Sequence, residues 1–145
     1  MAVVIFASCG EDARVEYGSP GRTYETYVNR LLADDVAGVW QCYSEPFRLS
    51  KYAGDLKAWE AELQERSSEL KLEARRREIV EERIIGDHIG FVRFDVTTLP
   101  DPKTSHFFYF ILEGEGWKVT SYLDSTFHSE LESAIERGEF DLPAL

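Results

Sequence analysis

The spacing of hydrophobic positions along this chain changes near residue 78. Before that point, apolar residues recur at intervals of three and four, which is typical of amphipathic helices. From Glu78 to Leu123 they alternate with polar residues or run together between turn signals. That second pattern predicts four consecutive β-strands. The order of the two patterns predicts an α+β protein in which helices precede the sheet.

Three helices are predicted before the strands. The first begins near Thr23, and the second runs from Val36 to about Ser44 with Asp35 as its cap and Pro46 as its end. The third begins after Asp55 and runs to about Ser67. The stripe of the first helix consists of Tyr24, Tyr27, Val28, Leu31 and Leu32.

After Ser67 the sequence fits an extended chain, because Leu70, Leu72 and Ala74 alternate as in a strand. Side chains two apart in a strand share a face. We therefore expect Arg75 and Arg77 to lie on one solvated face, with Glu73 and Glu81 along it.

Four strands and a final helix follow. The predicted strands are Ile79 to Ile85, Ile89 to Thr98, His106 to Glu113 and Trp117 to Leu123, with a turn at Gly86 and Asp87. The third strand is apolar on both faces, which predicts an interior strand that is covered on both sides. A helix from about Ser129 to Arg137 ends at Gly138.

Composition limits the class of protein. The chain has 145 residues, 43% of them hydrophobic, and a net charge of −11. We expect a tether over residues 10–21 within an N-terminal segment 1–21, followed by one folded domain over 22–145. The acidic surface argues against non-specific binding to nucleic acid or anionic lipid.

The first twelve residues, MAVVIFASCGED, contain an apolar run that is too short to span a bilayer. The FASC segment resembles the cleavage box of bacterial lipoproteins, in which the cysteine becomes lipidated. Lipidation of Cys9 would place the protein in the bacterial cell envelope. If these residues form an ordinary extended segment, we expect a cytoplasmic protein. The second cysteine, Cys42, lies in an apolar helical stretch and is expected to be a buried, inert thiol.

The turn-strand pieces GDHIGFVRF and EGEGWKV, placed after three helices, resemble the nuclear transport factor 2-like superfamily, also called the cystatin-like α+β roll. The resemblance covers about residues 22–124, and it is nearest to small bacterial lipoproteins of unassigned function. It implies a curved, mainly antiparallel sheet that wraps a cone-shaped pocket, and it implies homodimers formed through the sheet. The C-terminal helix departs from the family pattern and is expected to cover the mouth of the roll or a sheet edge.

Some members of this superfamily are enzymes, including ketosteroid isomerase, scytalone dehydratase and polyketide cyclases. Such a site needs a carboxylate base and a buried hydrogen-bond donor to an oxyanion. Tyr24, Tyr27 and Asp95 are the nearest candidates by element. No sequence spacing links these three residues. The alternative is that the two tyrosines are core or rim residues and that Asp95 faces solvent.

The histidines, His88, His106 and His128, show no ligand spacing, so we expect no metal site. The sequence also has no phosphate loop, dinucleotide fingerprint or nucleophile elbow, and we expect no cofactor.

The aromatic residues are the better lead to function, because they come from the elements that line the cone in this superfamily. They can form an apolar ligand pocket or a fully packed core. The expected function is a non-enzymatic binding module for a small apolar ligand or a protein partner. A small isomerase, dehydratase or cyclase and an acidic interaction or immunity protein are the alternatives. The candidate pocket residues are Trp40, Tyr43, Phe47, Trp59, Phe107 and Tyr109.

Overall fold

The computed structural model describes residues 15–114 and 116–140 of the chain. Within them, five helices and one four-stranded antiparallel sheet form an α+β fold, as the sequence pattern predicts. The helices are α1 (Pro20–Leu32), α2 (Val36–Cys42), α3 (Glu45–Tyr52), α4 (Leu56–Arg76) and α5 (Ser125–Glu136), and the strands are β1 (Ile79–Ile85), β2 (Ile89–Phe94), β3 (Phe107–Glu113) and β4 (Gly116–Thr120).

The start of α1 lies earlier than the predicted Thr23. Pro20 occupies the first turn, where its missing N–H costs nothing, and the Ser19 side chain accepts from the backbone N–H of Arg22. Tyr17 is buried against the core although it precedes the helix. Cys9, the predicted lipidation site, lies outside the residues that the structure describes.

Helix α3 was not predicted. Pro46 does not simply end α2, because it lies in the first turn of a new helix. Ser44 caps that helix by accepting from the backbone N–H of Phe47 at 3.2 Å. The caps predicted at Asp35 and Asp55 are confirmed, since their carboxylates accept from the N–H groups of Gly38 and Lys57.

The prediction that α4 ends near Ser67 is wrong. The helix continues to Arg76, and Arg77 caps its end. Leu63 and Ala74 are both buried on the core side, so tertiary packing decides for the helix where the local pattern is ambiguous. The expected solvated strand face with Arg75 and Arg77 does not exist: Arg75 lies exposed on the helix and the side chain of Arg77 is buried.

The four predicted strands are confirmed, with shorter ends for β2 and β4. Asp95 accepts from the N–H of Thr97 and starts a 3-10 turn over Val96–Thr98, which takes the chain out of β2. The strand order is β1-β2-β3-β4, so β3 is interior as expected. A bulge at Val80 shifts the register between β1 and β2.

Each face of the sheet carries its own apolar core. Val92, Phe94 and Phe110 pack under helices α1 to α4, and Ile89, Phe91 and Phe107 pack under α5 through Phe127 and Leu131. The C-terminal helix begins at Ser125, earlier than predicted, and Gly138 follows it with a positive φ of 73°. It covers the second face of the sheet and not, as predicted, the mouth of the roll or a sheet edge.

Candidate functional site

A cavity of about 370 Å³ lies between helices α3 and α4 and the neighbouring ends of β3 and β4. One wall is aromatic and the other carries ionisable side chains from α3 and α4. The volume is near the lower end of the range of about 300–1,000 Å³ that is usual for small-molecule sites. The cavity can therefore hold a compact ligand of one or two rings.

Tyr43 is the centre of the aromatic wall. Its ring centroid lies 4.8 Å from that of Phe47, 5.3 Å from that of Trp59 and 6.2 Å from that of Tyr52. The residue follows α2 and forms a parallel bridge with Val119 of β4, which holds the ring over the sheet. Because burial raises the pKa of Tyr43 well above its ordinary value, its phenol stays neutral.

Five of the six predicted pocket residues contribute to the wall of this cavity, and Trp40 does not. Trp40 lies behind the wall, where its ring packs against Tyr43 and Tyr52 at 6.5 and 5.7 Å. The guanidinium of Arg48 covers it at 5.4 Å. The five that line the cavity are Tyr43, Phe47, Trp59, Phe107 and Tyr109.

The rings of Phe107 and Tyr109 nevertheless point away from helices α1 to α4 and toward α5. Phe107 packs against Phe91 and Tyr109 against Phe127, both in the core under α5. Between them on β3, Phe108 faces α1 and contacts Tyr27 at 5.5 Å. The predicted set therefore mixes the two faces of one strand, because side chains alternate along it.

Glu62 lines the cavity, accepts hydrogen bonds from two neighbours and forms an ion pair with a third. The Tyr52 hydroxyl donates to it, Arg66 Nη1 lies 3.2 Å from its Oε1, and Lys51 Nζ lies 3.8 Å from the same oxygen. Burial alone would raise the pKa of Glu62, but the hydrogen bonds from Tyr52 and Arg66 and the two positive charges lower it overall. The carboxylate is thus ionised at neutral pH.

A buried ion pair also lines the cavity. Arg77 Nη2 lies 2.9 Å from Glu73 Oε2, and the two side chains are only 8% and 13% exposed. The guanidinium carbon lies 5.2 Å from the ring centres of both Phe94 and Phe108. Arg77 Nε has no hydrogen-bond partner among the described residues. Sequence reasoning missed this pair, although the four-residue spacing of Glu73 and Arg77 indicates a pair once the helix is extended.

The structure does not assemble the weak catalytic candidates into a site. Tyr27 lines the cavity, but Tyr24 lies on the far side of Arg77, where its hydroxyl is buried without a partner among the described residues. Asp95 lies at the end of β2 and accepts from the backbone and hydroxyl of Thr97, and these bonds lower its pKa. Burial raises the pKa of both tyrosines, so their phenols stay neutral.

The histidines lie apart from the cavity lining. His128 faces Glu132 on α5 at 3.0 Å, while His88 lies in the turn before β2 and His106 directly precedes β3. Within residues 15–114 and 116–140, no group of three or more His, Cys, Asp or Glu side chains is placed to share a metal ion. In the same residues, no helix combines the length and the apolar composition needed to cross a bilayer.

Cys42 is buried, as predicted, on the core side of α2. Burial raises the pKa of its thiol to about 11. A thiol with that pKa is almost fully protonated at neutral pH and is a poor nucleophile.

In three comparisons, the chain matches no protein-family model, no curated protein and no solved structure. The resemblance to the nuclear transport factor 2-like superfamily stays a prediction from the sequence.

Proposed function

We propose that this protein is a non-enzymatic binding module that holds a small, largely apolar ligand in the cavity beside Tyr43. The observation that carries the proposal is an open cavity with an aromatic wall and neutral phenols at its surface. Aromatic walls with few polar groups are the usual composition of ligand sites. A ring stacked on Tyr43 or Phe47 would bury its faces and leave polar substituents near the mouth.

The ionisable groups support binding over catalysis. Among the described residues, the two carboxylates that line the cavity are engaged in ion pairs, Glu62 with Arg66 and Lys51, and Glu73 with Arg77. A general base poised near neutral pH usually has a carboxyl pKa that burial has raised, whereas the pKa of Glu62 is lowered. If the protein were instead an acidic interaction or immunity protein, we would expect the space between helices and sheet to be filled by side chains. The open cavity therefore favours ligand binding.

Anchoring in the cell envelope through a lipidated Cys9 is a separate proposal, with a cytoplasmic protein as its alternative. Mass spectrometry on the native protein tests it. A diacylglyceryl or acyl mass on a peptide beginning at Cys9 would support anchoring, and an unmodified internal Cys9 in the soluble fraction would refute it.

Ligand binding is tested by filling the cavity. Leu70 lines it from α4, whereas Leu72 on the same helix is 49% exposed and does not. Titration with 2-naphthol, followed by calorimetry and by amide chemical shifts, should show saturable binding to the wild-type protein and to Leu72→Trp. Leu70→Trp should lose it. Equal binding by both variants, or shifts that avoid the residues around Tyr43, would contradict the proposal.

A homodimer through the sheet also stays a prediction. The second face of the sheet is already occupied by α5, whose Phe127 and Leu131 pack on β2 and β3. A dimer that joined two sheets face to face on that side would have to displace this helix.

A further inference from the structure

Within the part of the chain that the structure describes, the outer edge of β1 is open. There, β1 is the terminal strand of the sheet and pairs with β2 alone. No backbone group of another element bonds to its outer side among the described residues. An edge of unpaired N–H and C=O groups is a template for another strand, and proteins that keep such an edge single usually protect it.

The bulge at Val80 and three charged side chains give this edge part of the usual protection, but two large apolar side chains are exposed on it as well. Val80 and Ile84 are 50% and 49% exposed, and Arg83 and Glu82 are exposed beside them. Exposed apolar residues on a free edge strand favour association with a further strand.

The strand is complementary to a second copy of itself in one register. If two β1 strands pair antiparallel about a two-fold axis at Glu82, each Glu81 lies opposite an Arg83, and each Ile84 lies near the Val80 of the bulge in the other copy. Opposite charges and apolar pairs in directly opposed positions stabilise a sheet. Moving the axis to either neighbouring residue places Glu82 opposite Val80 or Ile84, and both the charge and the apolar matches are lost.

The two Glu82 residues at the axis are the one unfavourable contact. Each carboxylate, however, accepts from the backbone N–H of Gly21 at 3.1 Å, in the first turn of α1. The partial positive charge at that helix end offsets part of its negative charge. The contact between like charges is thus weakened and not removed.

We propose that β1 is a dimerisation edge and that its occupant is a second copy of this chain. The two strands run antiparallel about Glu82 and join the four strands of each copy into one continuous sheet. This interface leaves α5 in place on the second face and the cavity beside Tyr43 uncovered. The proposal goes beyond ligand binding and does not depend on it.

Sedimentation equilibrium over a wide range of protein concentrations tests the proposal. The mass should rise from 16.6 kDa toward twice that value. Glu81→Arg and Arg83→Glu should each weaken the homodimer, by roughly tenfold or more, because each places like charges opposite one another twice. An equimolar mixture of the two variants should associate again, since both pairs between positions 81 and 83 then have opposite signs and only the Glu82 contact at the axis is unchanged.

Two further variants complete the experiment. Glu82→Gln should strengthen the dimer, by about fivefold, because it removes the repulsion at the axis. Glu60→Arg reverses an exposed charge on α4 and should leave association unchanged. Thermal unfolding checks that each variant is folded, which matters for Glu81→Arg because Glu81 also contacts Arg93 at 3.2 Å. A constant mass of 16.6 kDa, or a dimer insensitive to both edge reversals, would overturn the proposal.

Discussion

The guanidinium of Arg77 and the carboxylate of Glu73 lie 2.9 Å apart in an ion pair that is almost closed to solvent. The pair joins the end of α4 to the rings of Phe94 and Phe108 on the sheet. A charge buried in this way is costly as soon as its partner is removed. The pair therefore offers the most direct mutational test of the fold.

Arg77→Met should lower the free energy of unfolding by about 3–5 kcal/mol, because it leaves Glu73 buried without a partner. The double variant Glu73→Gln, Arg77→Met should recover much of that loss. Arg76→Met, one residue earlier and exposed, should change stability by no more than about 0.5 kcal/mol. Urea unfolding measures all three, and equal effects of Arg77→Met and Arg76→Met would contradict the buried pair.

Two buried threonines should respond in opposite ways to the same substitution. Thr23 donates to the carbonyl oxygen of Trp117 at 2.7 Å, whereas the hydroxyl of Thr120 has no partner among the described residues. Thr23→Val should cost about 1–2 kcal/mol, because it leaves that carbonyl with one bond fewer. Thr120→Val should be neutral or stabilising, since valine keeps the shape and removes an unpaired polar group. Thermal unfolding of both variants at matched concentration checks this, and a larger loss for Thr120→Val would show that its hydroxyl is bonded.

Glu62 should make stability depend on pH in the acid range. Its pKa is lowered in the folded protein by Tyr52, Arg66 and Lys51, so its contribution is complete above the unfolded pKa of about 4.3. That contribution is lost as the pH falls through the lower, folded pKa. The difference in unfolding free energy between wild type and Glu62→Gln should be about 1 kcal/mol at pH 7 and should shrink toward zero in strong acid. A difference that is independent of pH would mean that the carboxylate is not favoured by its neighbours.

Cys42 should resist modification while the protein is folded. In the variant Cys9→Ser, which removes the other cysteine, Cys42 is the sole thiol. Its burial and its pKa of about 11 predict very slow reaction with a disulfide reagent at pH 8. The rate should rise by orders of magnitude in urea above the unfolding midpoint. Rapid reaction of the folded protein would indicate that α2 opens readily.

The strands were predictable from the sequence because their signals are local. Alternation, β-branched residues and the Gly86 turn define β1 and β2, and the two-sided apolar character of β3 indicates its interior position. The early ends of β2 and β4 were not predicted. At Asp95 the side chain bonds to the backbone two residues on, which competes with continuation of the strand.

The helical half was harder because its decisive contacts are distant in sequence. Leu70 and Ala74 fit both a strand and a helix, and only the burial of Ala74 and Arg77 against the core selects the helix. The predicted stop at Pro46 is wrong because Ser44 and Pro46 together form a helix-start signal.

The aromatic part of the site was predictable from the sequence, whereas its buried ion pair was not. The aromatic residues near Tyr43 are visible in the sequence, and the expectation that they line a pocket came from the family resemblance and not from their spacing. Five of the six contribute to the wall of the cavity. Arg75, Arg76 and Arg77 are alike in sequence, and only the turn at the end of α4 makes one of them a buried partner of Glu73.

The β4 edge of the sheet differs from the β1 edge because some of its outward backbone groups are already hydrogen-bonded. Along β4, the N–H of Trp117 is bonded to the carbonyl of Tyr17, and the carbonyl of Val119 accepts from the N–H of Ser44. Among the described residues, these backbone bonds cap the β4 edge of the sheet, and the β1 edge is the one left for strand addition. Association through strands would then stop at two copies, since a pair joined at β1 presents only capped borders and cannot grow into a fibre.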